Sequence, residues 1–361
     1  MAHQRVAIVH EWLTNLAGSE KVVAALRGTF ADAPVWTSMR WGEPFATWAQ
    51  VNTSFLQWWA NGANAHVKVL PLMPAAFSSL RLPANLDLVI TSFHSFALYC
   101  RVPRSTRHIV YCHTPPRFLW SPRQLAAERG ANIGRALAPA RVALRGIDRR
   151  RGARPDVMIA NSGTVRRRIA QAYGRSAPVI YPPVDIDRFT AVARPSPEDY
   201  FLVVSRLVPY KQVSLAVEAF NQLGWPLVVL GGGRQERELR AQAHANVRFL
   251  GHVDDAALPS IVAGARALIM PGEEDFGITP VEAMACGVPV VAYGRGGATE
   301  TVTPGLSGIF FADQDAASLI RAVRAVAAEA WDRTAIAASV SRFHETRFRQ
   351  EIRQVADSLL A

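Results

Sequence analysis

The sequence predicts an α/β protein built from two doubly wound domains. Short apolar runs alternate with helix-length stretches in both halves. The 361 residues are enough for two separate cores. Near residue 275 a strand, an acidic loop, a short helix and a second strand follow one another, which is a βαβ unit.

Arg5 to Glu11 forms the first strand, and Trp12 to Gly18 the loop after it. Gly18 or Ser19 opens a helix running to about Phe30, and Gly18 lets the backbone meet a diphosphate there. His10, Glu11 and Trp12 end the strand and face the ligand edge, with plain strand-end packing as the alternative. Trp48 to Phe77 is rich in bulky apolar residues without a clear period. Trp58 and Trp59 are neighbours, so both cannot face one core; one is expected at the surface as an interfacial anchor. Leu86 to Thr91 is a buried strand ending at His94, and Ile109 to Cys112 another ending at His113. A helix from Gly134 to Arg151, a strand from Val157 to Asn161 and a helix from Thr164 to Tyr173 follow. Val179 to Tyr181 reads as the last strand of this half. Pro182-Pro183, then the prolines of 193–199, mark a linker.

The second half repeats the grammar. Tyr200 to Val204 is a strand, and the loop after it carries Arg206 and Lys211 before a helix from Ser214 to Leu223. Two fixed cations on one loop either form a solvated pair or neutralise a departing diphosphate. Strands at Pro226–Leu230 and Val247–Leu250 run into Gly231-Gly232-Gly233 and Gly251-His252-Val253. Ala265 to Met270 is the strand before the acidic loop. Thr279 is the expected N-cap of the following helix, with Pro280 at its first position, Glu282 three residues past the cap and Gly287 closing the end. Val288 to Ala292 is the next strand, and Gly294 to Gly297 closes the ligand edge. Arg342 to Leu360 reads as an amphipathic helix.

That loop brings Glu274 to the ligand edge, Gly277 lets backbone approach closely, and the N–H groups of Ile278 to Val281 face an anion. A carboxylate beside an anion site suits a ligand with both phosphate and hydroxyl groups. A sugar nucleotide has both, so Glu274 and Glu282 are read as taking hydroxyls of the hexose and the ribose. A capping box is the alternative for Glu282.

Composition narrows the field. No apolar run reaches the length of a membrane helix, and the N-terminus enters a strand at once, which predicts a cytoplasmic protein without a signal peptide. Cys100, Cys112 and Cys286 are odd in number and lack metal-ligand spacing, so reduced thiols and no metal site are expected. Residues 101–175 hold 17 arginines and 3 acids, while the whole chain is +11, so all the excess charge sits in that segment. A basic face toward anionic lipid on the inner side of the cell membrane, or toward a lipid-diphosphate acceptor, is expected from it. Nucleic acid is the competing partner, without a recognition motif to support it.

Glu274-Asp275-Phe276-Gly277-Ile278-Thr279-Pro280-Val281-Glu282-Ala283 resembles the donor-site signature of retaining GT-B glycosyltransferases, family four. The resemblance extends over essentially the whole chain. It implies two Rossmann-like domains facing a central cleft, with the C-terminal helix crossing back to the first. The expected bounds are 1–183 plus 342–361 for the acceptor domain, 184–199 for the linker and 200–341 for the donor domain. Cys112-His113-Thr114-Pro115 is similar to the segment that places an active-site histidine against the donor hexose. Arg206 and Lys211 have the spacing of the pair that holds the donor diphosphate, although Gln212 and Ser214 after them are unusual. Gly232 and Val253 are implied at the nucleotide base, Phe276 within the donor contacts, and His94 and Arg117 on the acceptor side. The family shows paired glycines where this chain has Ala17-Gly18-Ser19. Val9 to Thr14 and Tyr111 to Trp120 look most like bacterial O-antigen and exopolysaccharide mannosyltransferases, which implies GDP-mannose as donor and a glycan or lipid-linked acceptor. Transfer is expected to retain configuration and to need no cofactor or metal. A UDP-hexose donor, a nucleotide-sugar 2-epimerase and a basic nucleic-acid-binding protein are the alternatives.

Overall fold

The computed structural model describes residues 4–31, 33–62, 64–121, 138–192 and 198–361. The chain divides into a first unit, residues 1–183 with 346–361, and a second unit, residues 184–345.

In the first unit β1 (Val6–His10), β2 (Val35–Thr37), β3 (Val51–Thr53), β4 (Leu88–Phe93), β5 (Arg107–Cys112) and β6 (Val157–Ala160) form one parallel sheet. Its order is β3-β2-β1-β4-β5-β6, so the winding reverses between β1 and β4. Successive side chains of β1 serve opposite layers: Val6 and Ile8 pack with Leu26 and Phe348, Ala7 and Val9 with Phe77 and Val165. Burial on both faces is why these strands read as continuous apolar runs. The helix Glu345–Leu360 belongs to this unit and buries Phe348, Ile352 and Ala356, spaced one turn apart. Its Arg349 and Arg353 donate to the Gly28 and Thr29 carbonyls at the end of helix Gly18–Thr29, where cations are favoured.

The second unit has β7 (Phe201–Val204), β8 (Leu227–Leu230), β9 (Val247–Gly251), β10 (Leu268–Met270), β11 (Val290–Tyr293) and β12 (Gly308–Phe311), all parallel. Their order, β12-β11-β10-β7-β8-β9, is the same winding read from the other edge. Here the reversal lies between β7 and β10.

Some sequence expectations are corrected. β2 and β3, three residues each, are too short for periodicity to reveal. Val179–Tyr181 contributes one bridge to Ala160 rather than a strand, because Pro178 and Pro182-Pro183 withhold the donors a ladder needs. Residues 184–190 do not serve as linker. Asp185 caps a helix, Ile186–Thr190, whose Ile186 and Phe189 are buried in the second unit. Residues 193–197 of the expected linker lie outside the described residues, as do 134–137 of the expected arginine-rich helix, which is described as Ala138–Gly152. Arg342 precedes the C-terminal helix in a separate turn, Ser341–Phe343.

One buried group near this sheet sets a pH dependence. His108, in β5, bonds Thr91 Oγ1 through Nε2 at 2.9 Å, and burial pushes its pKa down to about 4. The unfolded chain takes up a proton near the ordinary value of 6.5, whereas the folded chain does not. Stability is therefore lost as pH falls from about 6.5 to about 4, by about 3 kcal/mol from this residue, and levels off below. Denaturant titration across that range is expected to show the slope in the parent and a flatter one in His108→Gln. Parallel curves would remove His108 as its source.

Candidate functional site

At the reversal of the second sheet two loops leave neighbouring strands. The first follows β7 and holds Arg206, Tyr210 and Lys211; the second follows β10 and holds Glu274. Gly272 lies so close to Lys211 that an added Cβ would stand 2.8 Å from the Lys211 carbonyl oxygen, so the two backbones touch. Across this contact Lys211 Nζ donates to Glu274 Oε1, and both side chains are 17% exposed. Arg206, itself exposed, donates to the Tyr210 hydroxyl, and the Lys211 ammonium lies 5.3 Å from the Tyr210 ring centre. The tyrosine thus bridges the two cations. Gln212 has a left-handed backbone, φ 54°, and its amide donates to the Pro209 carbonyl. A non-glycine residue pays about 1 kcal/mol to hold that conformation, and such strain gathers at functional turns.

The helix after the acidic loop is Ile278–Ala285, and its N-cap is Gly277, φ 91°, not Thr279. Glycine is the residue that can make this turn, so the cap moves two positions earlier than expected. Pro280 then falls within the first turn, where no N–H has a helical partner to lose. Glu282, buried, lies in the second turn, so the capping-box alternative does not apply to it. Phe276 is also buried, its ring 5.3 Å from that of Phe343. Its ring serves packing, so a donor contact at this position would be made by the backbone. The Gly297 N–H donates to the Glu274 carbonyl at 2.7 Å, which ties the 294–297 turn to the acidic loop. Gly232 and Val253 lie on turns joined by the Gly231 N–H to Gly251 carbonyl bond of 2.8 Å. His252 and Glu236 flank Gly232 at 3.4 and 3.5 Å from the position of an added Cβ.

In the first unit the carboxyl ends of β1, β4 and β5 gather imidazoles. His94 lies with ring centres 6.2 Å from His10, 5.0 Å from Trp12 and 6.0 Å from His113, and Trp12 stacks on His66 at 4.3 Å. Burial, then the charges of His113, His10, His66 and Arg117, hold His94 well below the ordinary histidine value, so its ring is neutral at pH 7. Its Nδ1 is enclosed and has no hydrogen-bond partner among the described residues. Arg117 begins the short helix Arg117–Trp120 after β5.

Sequence reasoning missed how two buried acids organise this edge. Glu11 does not face a ligand. Its carboxylate accepts four backbone N–H bonds, from His94, Ser95, Phe96 and Ala97, at 2.7 to 3.1 Å. Burial raises the Glu11 carboxyl above its usual value, and these four donors oppose the shift. Glu20, in the first turn of helix Gly18–Thr29, accepts from the Ala17 N–H at 3.2 Å and the Ser19 hydroxyl at 2.9 Å. Gly18 opens that helix with this carboxylate already on the capping position. The spacing of Glu20 three residues after Ala17 was the available signal. Among the described residues no group of three or more His, Cys, Asp or Glu side chains is placed to hold a metal ion. The three cysteines are buried, and no disulfide joins them.

The basic segment is not simply a charged face. Arg145 and Arg149 donate to the Leu119 and Ala172 carbonyls and lie over Trp120 at 5.2 and 5.4 Å. Arg151 lies over Tyr99 at 3.9 Å, and Arg175 donates to three carbonyls. These arginines staple loops within the unit. Both neighbouring tryptophans, instead of one, reach solvent: Trp58 is 89% and Trp59 51% exposed, while Leu56 of the same turn is buried. No described helix is long and apolar enough to cross a membrane.

A family model for glycosyl transferases group 1 matches residues 186–339, and one for glycosyltransferase family 4 matches residues 20–188. The GDP-mannose-dependent alpha-(1-6)-phosphatidylinositol monomannoside mannosyltransferase of Mycobacterium tuberculosis is 34% identical over 245 residues, 58% of this chain. The match spans 61% of that relative's length. The D-inositol 3-phosphate glycosyltransferase of Geodermatophilus obscurus is 31% identical, over 58% of this chain and 52% of its own. The structure of Anabaena Alr3699/HepE in complex with UDP and glucose has a TM-score of 0.70 at 20% identity, covering 99% of this chain and 100% of that one. That likeness shows the GT-B fold. The two family models meet at residues 186–188 and together run from residue 20 to 339: the chain belongs to the family 4, group 1, glycosyltransferases.

Proposed function

We propose that this protein transfers a hexose, mannose from GDP-mannose, to a glycan or lipid-linked saccharide with retention of configuration. The observation that carries this reading is the Lys211–Glu274 pair. The sheet reversal brings together a cation and a carboxylate 63 residues apart, beside Arg206 and the N-terminus of helix Ile278–Ala285. Arg206, Lys211 and the free N–H groups of Ile278 and Thr279 take the donor diphosphate. Glu274 and His113 each hold a hydroxyl of the hexose, Glu282 the ribose, and Gly232 and Val253 the base. Gly18 is assigned to the diphosphate as well. His94 and Arg117 serve the acceptor.

Chemistry follows from those roles. The anomeric carbon–oxygen bond to the diphosphate breaks as the acceptor hydroxyl attacks from the same face. The leaving phosphate oxygen takes the acceptor's proton. Two side-chain cations and a helix N-terminus stabilise the charge that develops on the diphosphate, which is the service a divalent ion gives elsewhere. The mannose donor is supported by the GDP-mannose-dependent name of the mycobacterial relative. A UDP-hexose is the second reading, favoured by the UDP-glucose complex of the Anabaena neighbour.

A nucleotide-sugar panel read by thermal shift tests the donor. At one hundred times its Kd, GDP-mannose is expected to stabilise the native state by about 2.7 kcal/mol, and free mannose to leave it unchanged. Absence of a shift with every nucleotide sugar rules out the donor reading. Donor consumption without any acceptor present would favour the epimerase instead.

Peripheral contact with anionic lipid is part of the proposal, with Phe55, Trp58 and Trp59 as the inserting groups because all three are exposed on one turn. Phosphatidylglycerol vesicles are expected to co-sediment the parent and to release a Trp58→Ser, Trp59→Ser variant. Equal sedimentation of the two rejects this contact. This pair of substitutions is preferred to reversing Arg149 and Arg151, which would break the internal contacts described above.

A further inference from the structure

The donor-side residues of the second unit follow the order of its strands. Glu274 comes after β10, Arg206 and Lys211 after β7, Gly232 after β8 and His252 after β9, and these four strands are neighbours in that order. Glycines hold the middle of this row together. An added Cβ would stand 2.1 Å from the Ser205 carbonyl oxygen at Gly231 and 2.3 Å from the Leu207 carbonyl oxygen at Gly233. The glycine turn therefore presses on the backbone before and after Arg206. Four adjacent strands span about 14 Å, room for a hexose, a diphosphate and a nucleoside laid end to end. With the hexose on Glu274 and the diphosphate on Arg206 and Lys211, as proposed above, the base falls at Gly232.

Gly232 differs from the glycines on either side of it. A Cβ there would meet nothing closer than His252 Nε2 at 3.4 Å and Glu236 Oε2 at 3.5 Å. The missing side chain thus leaves a niche bounded by an imidazole and a carboxylate. Glu236 begins helix Glu236–Gln242, and Arg240 one turn on holds it. Arg240 donates to Glu236 Oε1 through Nε at 3.0 Å and Nη2 at 2.8 Å, and its guanidinium lies 4.9 Å from the centre of the Phe249 ring. Oε2, the oxygen beside Gly232, accepts no hydrogen bond from the described residues.

A carboxylate oxygen accepts and does not donate, so it chooses among bases by their donors. Guanine presents a ring N–H and an adjacent amino group on one edge. Uracil presents one ring N–H between two carbonyls, which a carboxylate repels. We propose that Glu236 selects the base of the donor, accepting from the ring N–H and the 2-amino group of guanine in the niche over Gly232. This rests on the sugar-nucleotide reading and narrows the donor to a guanosine diphosphate sugar.

Calorimetric titration with GDP, IDP and UDP tests the assignment, because IDP is GDP without the 2-amino group. The parent is expected to bind GDP about 10-fold tighter than IDP and about 100-fold tighter than UDP. Glu236→Gln is expected to weaken GDP about 10-fold and to leave UDP level or tighter, since its NH2 meets a uracil carbonyl. Gly232→Ala fills the niche and is expected to weaken GDP and UDP alike, about 10-fold. Both variants should fold: the Glu236 side chain is 34% exposed, and Gly232 has room for a methyl group without a left-handed backbone. A parent that binds IDP or UDP as tightly as GDP, or a Glu236→Gln variant that keeps the full preference for GDP, overturns the assignment and leaves the sugar-nucleotide site standing. Unchanged affinities in Gly232→Ala put the base elsewhere and overturn it too. A parent that binds none of the three removes the donor reading and this inference together.

Discussion

Glu274→Ala is expected to lower sugar transfer by about 10²- to 10³-fold while nucleoside diphosphate still raises the melting temperature. The two readouts separate because the proposed diphosphate contacts, Arg206, Lys211 and the first turn of helix Ile278–Ala285, all survive the change. In the parent Glu274 holds Lys211, and both side chains are 17% exposed. Its removal frees that ammonium, so the affinity for diphosphate is expected to stay level or rise. Glu274→Gln keeps a hydrogen-bonding oxygen without the charge and is expected to fall between parent and alanine. Steady-state transfer assays together with thermal shift by GDP check both. Turnover of the alanine variant within about threefold of the parent would end the hexose role of Glu274.

The second large effect concerns stability. Glu11→Gln is expected to destabilise the first unit by about 3 kcal/mol: the amide oxygen can take the three N–H groups that share Oε1, but its NH2 then faces the Phe96 N–H, and the charge that all four donors share is lost. In a unit of this size that corresponds to about 10 °C in melting temperature. The loop at 94–97 holds the His94 ring by its backbone, so His94 should move with it. Calorimetry and the His94 imidazole resonances check this. A melting temperature within about 2 °C of the parent would show that the carboxylate is not what holds the loop.

Legibility in the sequence followed the range of the interaction. The strands β1, β4, β5, β7 and β8 were readable because a strand buried on both faces must be apolar throughout, and that is a local property. The acidic loop was readable because a strand, a glycine turn and a helix start are consecutive in the chain. β2 and β3 were not, since three residues carry no period. The N-cap was misplaced from Gly277 to Thr279 because a threonine before a proline is a local cap signal, whereas the backbone turn at Gly277 is set by the loop's packing.

By itself the sequence determined the doubly wound α/β class, the loops that carry Arg206, Lys211, Glu274 and His113, and the family resemblance. Only the tertiary structure decided which charges meet. It paired Lys211 with Glu274, turned Glu11 into the 94–97 loop, stapled Arg145, Arg149 and Arg151 inside the first unit and set Glu236 and His252 beside Gly232. The reason is physical. Apolar burial leaves its mark on every residue of a strand, but the partner of a buried charge is fixed by sheet register and strand order, and these join positions far apart in the chain.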